Sequence, residues 1–152
     1  MTAQISDTIA IDGVDHPLFS EPLEAYYAEA SRPPFASTST ANWRGYVARW
    51  EIRDGRLHLT GISAELCDDA PRSGWNCERR RQVGLADLFR AEAGGTVFAG
   101  WFSGVLRVPM GAQIQYHHMG YDSVYEFDLL LIIEKGIVRS TTTVDNRNRK
   151  GR

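Results

Sequence analysis

The chain has 152 residues, 43% of them hydrophobic and 24% charged, with a formal net charge of −2. That is enough for one domain with its own core, without metal or disulfide to hold it. The longest apolar run, Leu129 to Ile133, is strand-sized and far from the roughly 18 residues a membrane span needs; MTAQISDTIAIDG shows no signal peptide, so a cytoplasmic protein without membrane contact is expected.

Gln4 to Ile11 alternates, with Ile5, Asp7, Ile9 and Ile11 on one side. Asp12-Gly13 then predicts a hairpin whose short return strand ends at Pro17. Asp7 breaks the apolar side and reads as a strand end. Next, Ser20 as N-cap, Glu21-Pro22 in a first turn, and Leu23, Tyr26, Tyr27 and Ala30 at helical spacing predict a short helix, stopped by Arg32-Pro33-Pro34.

Trp43 to Ile62 is the strongest pattern in the chain. Asp54-Gly55 lies between two alternating runs, and a two-residue type I′ turn needs φ > 0 at both positions, which these residues accept. This register sets Arg53 against Arg56, Ile52 against Leu57, Trp50 against Leu59 and Ala48 against Gly61. Tyr46, Ala48, Trp50, Ile52, Leu57 and Leu59 then share a dry face, while Arg49, Glu51, Arg53, Arg56, His58 and Thr60 share a wet one. A slip of one residue would drive the arginines inward.

Periodicity disappears from Ser63 to Arg81, which reads as a long polar loop. Cys67 and Cys77 fall in it without a C-x-x-C or a neighbouring histidine, and two reduced, dispensable thiols are expected. The Arg79-Arg80-Arg81 run, diluted by Asp68, Asp69 and Glu78, reads as a solvated loop. Leu85, Leu88 and Phe89 suit one or two helical turns. Thr96 to Val108 alternates as a strand with glycines at 100 and 104, and Pro109-Met110-Gly111 reads as a turn into Ala112 to Tyr116. After a loop at His117 to Ser123, Val124 to Ile133 and Ile137 to Val144 form strands about a Lys135-Gly136 turn.

The expected fold is therefore mainly β: an antiparallel sandwich or barrel of about seven or eight strands with one or two short helices. Residues 1–145 form the single β-rich domain and residues 146–152 a basic, disordered tail. Setting aside Arg147, Arg149, Lys150 and Arg152 leaves 13 of the 17 basic side chains against 19 acidic ones. An acidic body argues against a broad nucleic-acid surface and suits a basic protein partner.

The block Ser39-Thr40-x-Asn42-Trp43-Arg44-Gly45-Tyr46, followed by Trp50-Glu51-Ile52-x-Asp54-Gly55, and the later Trp101-Phe102-x-Gly104 and His118-Met119-Gly120-Tyr121 with Glu126, resemble a set of short uncharacterised bacterial single-domain proteins. The likeness runs from Ile5 to Val144, apart from the stretch from Cys67 to Arg81. It implies a bacterial, cytoplasmic, single-domain protein and carries no activity, cofactor or catalytic residue with it.

No Walker or dinucleotide phosphate loop, no G-x-S-x-G elbow and no H-E-x-x-H motif is present. The dense titratable stretch is His117-His118, with Tyr121 and Glu126 following. The bend at Met119-Gly120 is expected to bring His118 to Tyr121 and Glu126, with Arg44 entering from the central hairpin and Trp43 beside it. The bland alternatives are surface histidines, core aromatics and an Arg44 salt bridge to a loop acid. Two functional readings follow. One is a non-enzymatic protein-binding domain, such as an inhibitor or immunity protein for a bacterial toxin. The other is a small-molecule-binding β-barrel or enzyme in which Arg44, His118, Tyr121 and Glu126 converge on a concavity of roughly 300 Å³. Neither reading invokes a cofactor.

Overall fold

Three two-residue turns set the frame. Asp12-Gly13, Asp54-Gly55 and Lys135-Gly136 all have φ > 0 at both positions, the type I′ geometry that matches strand twist. They close the hairpins β1 (Asp7–Ile11) with β2 (Val14–Leu18), β3 (Tyr46–Arg53) with β4 (Arg56–Cys67), and β8 (Val124–Glu134) with β9 (Ile137–Asp145). The structure is a computed structural model and describes residues 3–37, 39–68, 77–90 and 95–148. Helix α1 (Pro22–Glu29) follows β2; β5 (Arg80–Val83), α2 (Leu85–Leu88), β6 (Val97–Phe98) and β7 (Gly104–Gln115) lie between β4 and β8.

The nine strands make one sheet in the order β2-β1-β3-β4-β9-β8-β7, with β5 and β6 also laid on β4. The architecture is a mainly β, sandwich- or barrel-like sheet that does not close. Its two ends are tied by Phe19 N–H to Arg107 O at 2.8 Å and Arg107 N–H to Ser20 Oγ at 3.0 Å. Ser20 is thus spent on β7, and Glu21 stands at the N-cap position of α1 instead. One pairing departs from antiparallel: β1 and β3 run parallel, because β2 and α1 carry the chain over before β3 returns to the other edge of β1.

The central hairpin follows the expected register from Arg53–Arg56 to Trp50–Leu59. There a bulge intervenes: Arg49 pairs with Gly61 and Ala48 with Ile62, leaving Thr60 as the extra residue, its hydroxyl donating to Arg49 O. The bulge changes parity. Leu57 and Leu59 point inward before it, and Ile62, Ala64 and Leu66 after it. What looked aperiodic after Ile62 is therefore five more residues of β4, with Arg80–Val83 pairing back on it as β5.

That pairing brings Cys67 opposite Arg80 and Cys77 near enough to bond: Cys67 and Cys77 form a disulfide, with Cα atoms 5.8 Å apart. The expectation of two reduced, dispensable thiols is corrected accordingly. Asp69, Pro71 and Ser73-Gly74 lie outside the described residues. Arg80 reaches Ser37 O and Glu65, and Arg81 pairs with Asp68, so both arginines brace this hairpin.

Two further differences have local causes. The expected strand from Thr96 to Val108 is divided, because Phe102 N–H bonds to Ala99 O in a turn that separates β6 from β7. Conversely, Pro109-Met110-Gly111 does not end a strand: β7 runs through it, bulging between Met110 and Gln113. At the chain's end, Asn146 is buried and donates to Tyr125 O and Asp128 Oδ2, so the ordered body extends past 145.

The core is built by Ile9, Leu18, Leu23, Trp50, Leu57, Leu59, Leu106, Val108, Leu131 and Ile133. α1 lays Leu23 and Tyr26 on it, and Tyr26 touches Phe89 and Trp101 with ring centroids 5.0 Å apart in each case. Trp101 also donates its indole N–H to Pro22 O, fixing the helix across the sheet end.

Candidate functional site

The site grows from the one polar residue on the inner face of β1. Asp7 is fully buried. Its Oδ1 accepts from Arg44 Nη2 at 2.7 Å and from Ala48 N–H at 2.9 Å, and its Oδ2 accepts from the Trp50 indole at 3.0 Å. Burial pushes the Asp7 carboxyl upward, while Arg44 and these donors pull it back. With three donors on two oxygens, the carboxylate is the form that fits.

A tight turn delivers Arg44 to this point. Gly45 N–H bonds to Asn42 O, and Gly45 has φ +83° with Phe35 so close that an added Cβ would sit 2.7 Å from it. Arg44 Nε lies 3.2 Å from Glu21 Oε2, and its guanidinium lies 5.1 Å from the Tyr46 ring. Glu21 in turn accepts from the Tyr121 hydroxyl at 2.9 Å, and Tyr121 stacks on Phe19. A parallel chain runs alongside: Tyr46 donates to Glu24 at 2.6 Å, Glu24 pairs with Arg32, and Arg32 donates to Arg44 O at 2.8 Å.

Above this network lies an open cleft of about 310 Å³ lined by Gln4, Glu21, Glu24, Arg32, Trp43 and Arg44. Its floor, Arg44, is almost wholly covered and engaged by two acids. Its rim is accessible: Glu21, Glu24 and Arg32 are part-exposed, and Trp43 is 48% exposed. Trp43 is nonetheless pinned. Its N–H donates to Gln4 Oε1 at 3.0 Å and its C=O accepts from Ser37 Oγ at 3.2 Å.

Of the residues expected at a site, the structure brings Arg44, Trp43 and, through Glu21, Tyr121 into one neighbourhood. It does not bring His118 or Glu126 there. His118 is exposed, with Nδ1 3.4 Å from the Tyr116 hydroxyl and their rings in edge contact. Glu126 accepts from Ala112 N–H at 2.7 Å and fills the space beside Gly111, holding the β7 bulge. The expected approach of His118 to Tyr121 and Glu126 is corrected: among the described residues no hydrogen bond joins them. The loop instead folds around Arg107, which donates to Asp128, Tyr121 O and Ser123 O. Glu21, Glu24 and Arg32 escaped the sequence reading because they belong to a helix and its stop signal. Asp7 did leave a trace, as the acid on an apolar face.

Among the described residues no group of three or more His, Cys, Asp or Glu side chains is arranged to hold a metal, and no helix is long and apolar enough to cross a membrane. Compared with protein-family models, with curated proteins and with solved structures, the chain matches none.

Proposed function

We propose that this is a non-enzymatic protein-recognition domain, and that the cleft under Trp43 seats a basic segment of its partner. The observation that carries the reading is the half-exposed Trp43, fixed at both its backbone groups on the rim of a cleft whose acids, Glu21 and Glu24, are paired with Arg44 and Arg32. With its main chain held, an indole has only two side-chain torsions to lose on binding and buries a large area, which is why tryptophan is prominent in interface energetics. A lysine or arginine beneath it meets the ring face and competes with Arg32, which is part-exposed, for the Glu24 carboxylate. The acidic body speeds encounter with such a partner, as an inhibitor or immunity protein for a basic toxin domain requires. The small-molecule reading needs His118 and Glu126 beside Arg44, and they lie elsewhere.

The test is titration with a fluorescent octa-arginine peptide, followed by anisotropy. Trp43→Ala is expected to weaken binding roughly tenfold or more without moving the thermal midpoint. Equal binding by the variant, or none by the parent at about millimolar peptide, would overturn this reading.

A further inference from the structure

Most edges of this sheet are interrupted. β2 is five residues long and carries Pro17. β7 carries Pro109 and two register shifts between Met110 and Gln115. Such features prevent one sheet edge from pairing with another. β9 is different. β4 pairs with it at Arg56–Ile137, and Val138 N–H reaches Gly55 O, but beyond that point no strand among the described residues covers its outer side. From Ser140 to Asp145 its register with β8 is unbroken, and all six residues are exposed. The stretch reads Ser-Thr-Thr-Thr-Val-Asp, with no proline, glycine or lysine to blunt it.

The direction of its free groups follows from the ladder. Asn146 N–H bonds to Glu126 O on β8. By antiparallel alternation, Thr142 and Val144 also face β8, while the N–H and C=O groups of Thr141, Thr143 and Asp145 point outward.

We propose that this edge pairs with the same edge of a second copy of the chain, forming a two-fold antiparallel β9–β9 ladder. Outward residues must meet outward residues, so the ladder centres on a residue rather than between two. Centring on Thr141 would set Asp145 against Ile137, which β4 already occupies. Centring on Thr143 would set Arg139 against Arg147. Centring on Thr142 sets Thr141 against Thr143, Ser140 against Val144 and Arg139 against Asp145 of the second copy, twice by symmetry. The exchange is possible at the surface: Arg139 reaches Glu134 only at 3.7 Å, and Asp145, although it accepts from Arg147 at 2.7 Å, is exposed and can share its carboxylate with a second guanidinium. Strand addition at an open edge gains main-chain hydrogen bonds that water now satisfies, and the charge pairs select the register.

Sedimentation velocity on the full chain, from about 1 to about 200 μM, reads the assembly directly. A species of twice the 17.0 kDa chain mass is expected to grow in over this range. Arg139→Glu places two acids face to face, and Thr143→Pro removes an outward donor while sparing the bonds to β8; each is expected to raise the dissociation constant roughly tenfold or more. Arg139→Glu combined with Asp145→Arg is expected to restore assembly. A monomer at every concentration, or a dimer of unchanged affinity in both single variants with normal thermal midpoints, overturns the proposal.

Discussion

Asp7 and Arg44, 37 positions apart, form an ion pair at 2.7 Å with side chains 0% and 4% exposed. The pair joins β1 to the turn before β3, where the two strands run parallel. Removing one partner leaves a charge inside the sheet. Asp7→Ala is therefore expected to cost about 3–5 kcal/mol, and Arg44→Met a similar amount. The double variant should cost less than the two together, since neither charge of the buried pair remains and Glu21, which loses Arg44, is part-exposed. Urea denaturation measures all three, and a loss below about 1 kcal/mol in either single variant would show that the pair contributes little.

The Cys67–Cys77 bond closes a short loop at the end of the β4–β5 hairpin. Reduction should release about 2–3 kcal/mol of stability by freeing the unfolded chain. Purified without reductant, the protein should show no reactive thiol in a denaturing titration. Such a bond suits an oxidising compartment. Two thiols titrated per chain, with stability unaffected by reductant, would count against the bridge.

Glycine substitutions should separate backbone strain from crowding. Gly55 has φ +71° with nothing near its Cβ position, so Gly55→Val should cost on the order of 1–2 kcal/mol from the backbone alone. Gly45 has φ +83° and Phe35 Cβ at 2.7 Å, and Gly136 has φ +79° and Ala99 O at 2.7 Å. Alanine at either should cost more than valine at 55, because the neighbour must also move. Comparing urea midpoints of the three variants checks the order.

High pH should unfold the protein in a defined window. Burial pushes the Tyr27 phenol up to about 12, and burial together with Glu24 and Glu21 pushes Tyr46 and Tyr121 well above the ordinary value. The unfolded chain releases these protons near pH 10 while the folded one keeps them. Their contribution is thus present in full below about pH 10 and is lost as pH rises through about 12 for Tyr27 and beyond that for Tyr46 and Tyr121. Phenolate absorbance of the native protein near pH 11 should fall short of the denatured protein's by these three tyrosines. Equal absorbance in a still-folded sample would show them freely ionised.

What could be read from the sequence was whatever depends on neighbours along the chain. Turn residues that accept φ > 0 and the two-residue alternation of the flanking runs placed three hairpins, the register of the central one near its turn, and the mainly β class. The short helices were legible from proline, spacing and stop signals. Even Asp7 announced itself as an anomaly.

Tertiary structure decided everything that joins distant segments. The bulge at Thr60 reverses the inward side of β4, which hid its last residues and β5 from a parity argument and with them the disulfide. Asp7 does stand at a strand end, as the first residue of β1, but the parallel pairing of β1 with β3 also makes it the partner of Arg44, and so turns an expected ligand-binding arginine into the floor of a cleft. His118 and Glu126 are close in sequence to Tyr121 but parted from it, because Arg107 gathers the loop carbonyls and the β7 bulge takes Glu126. An ion pair or a bulge is chosen by whichever group across the fold can satisfy a buried polar atom, and that choice has no period along the chain for a sequence to display.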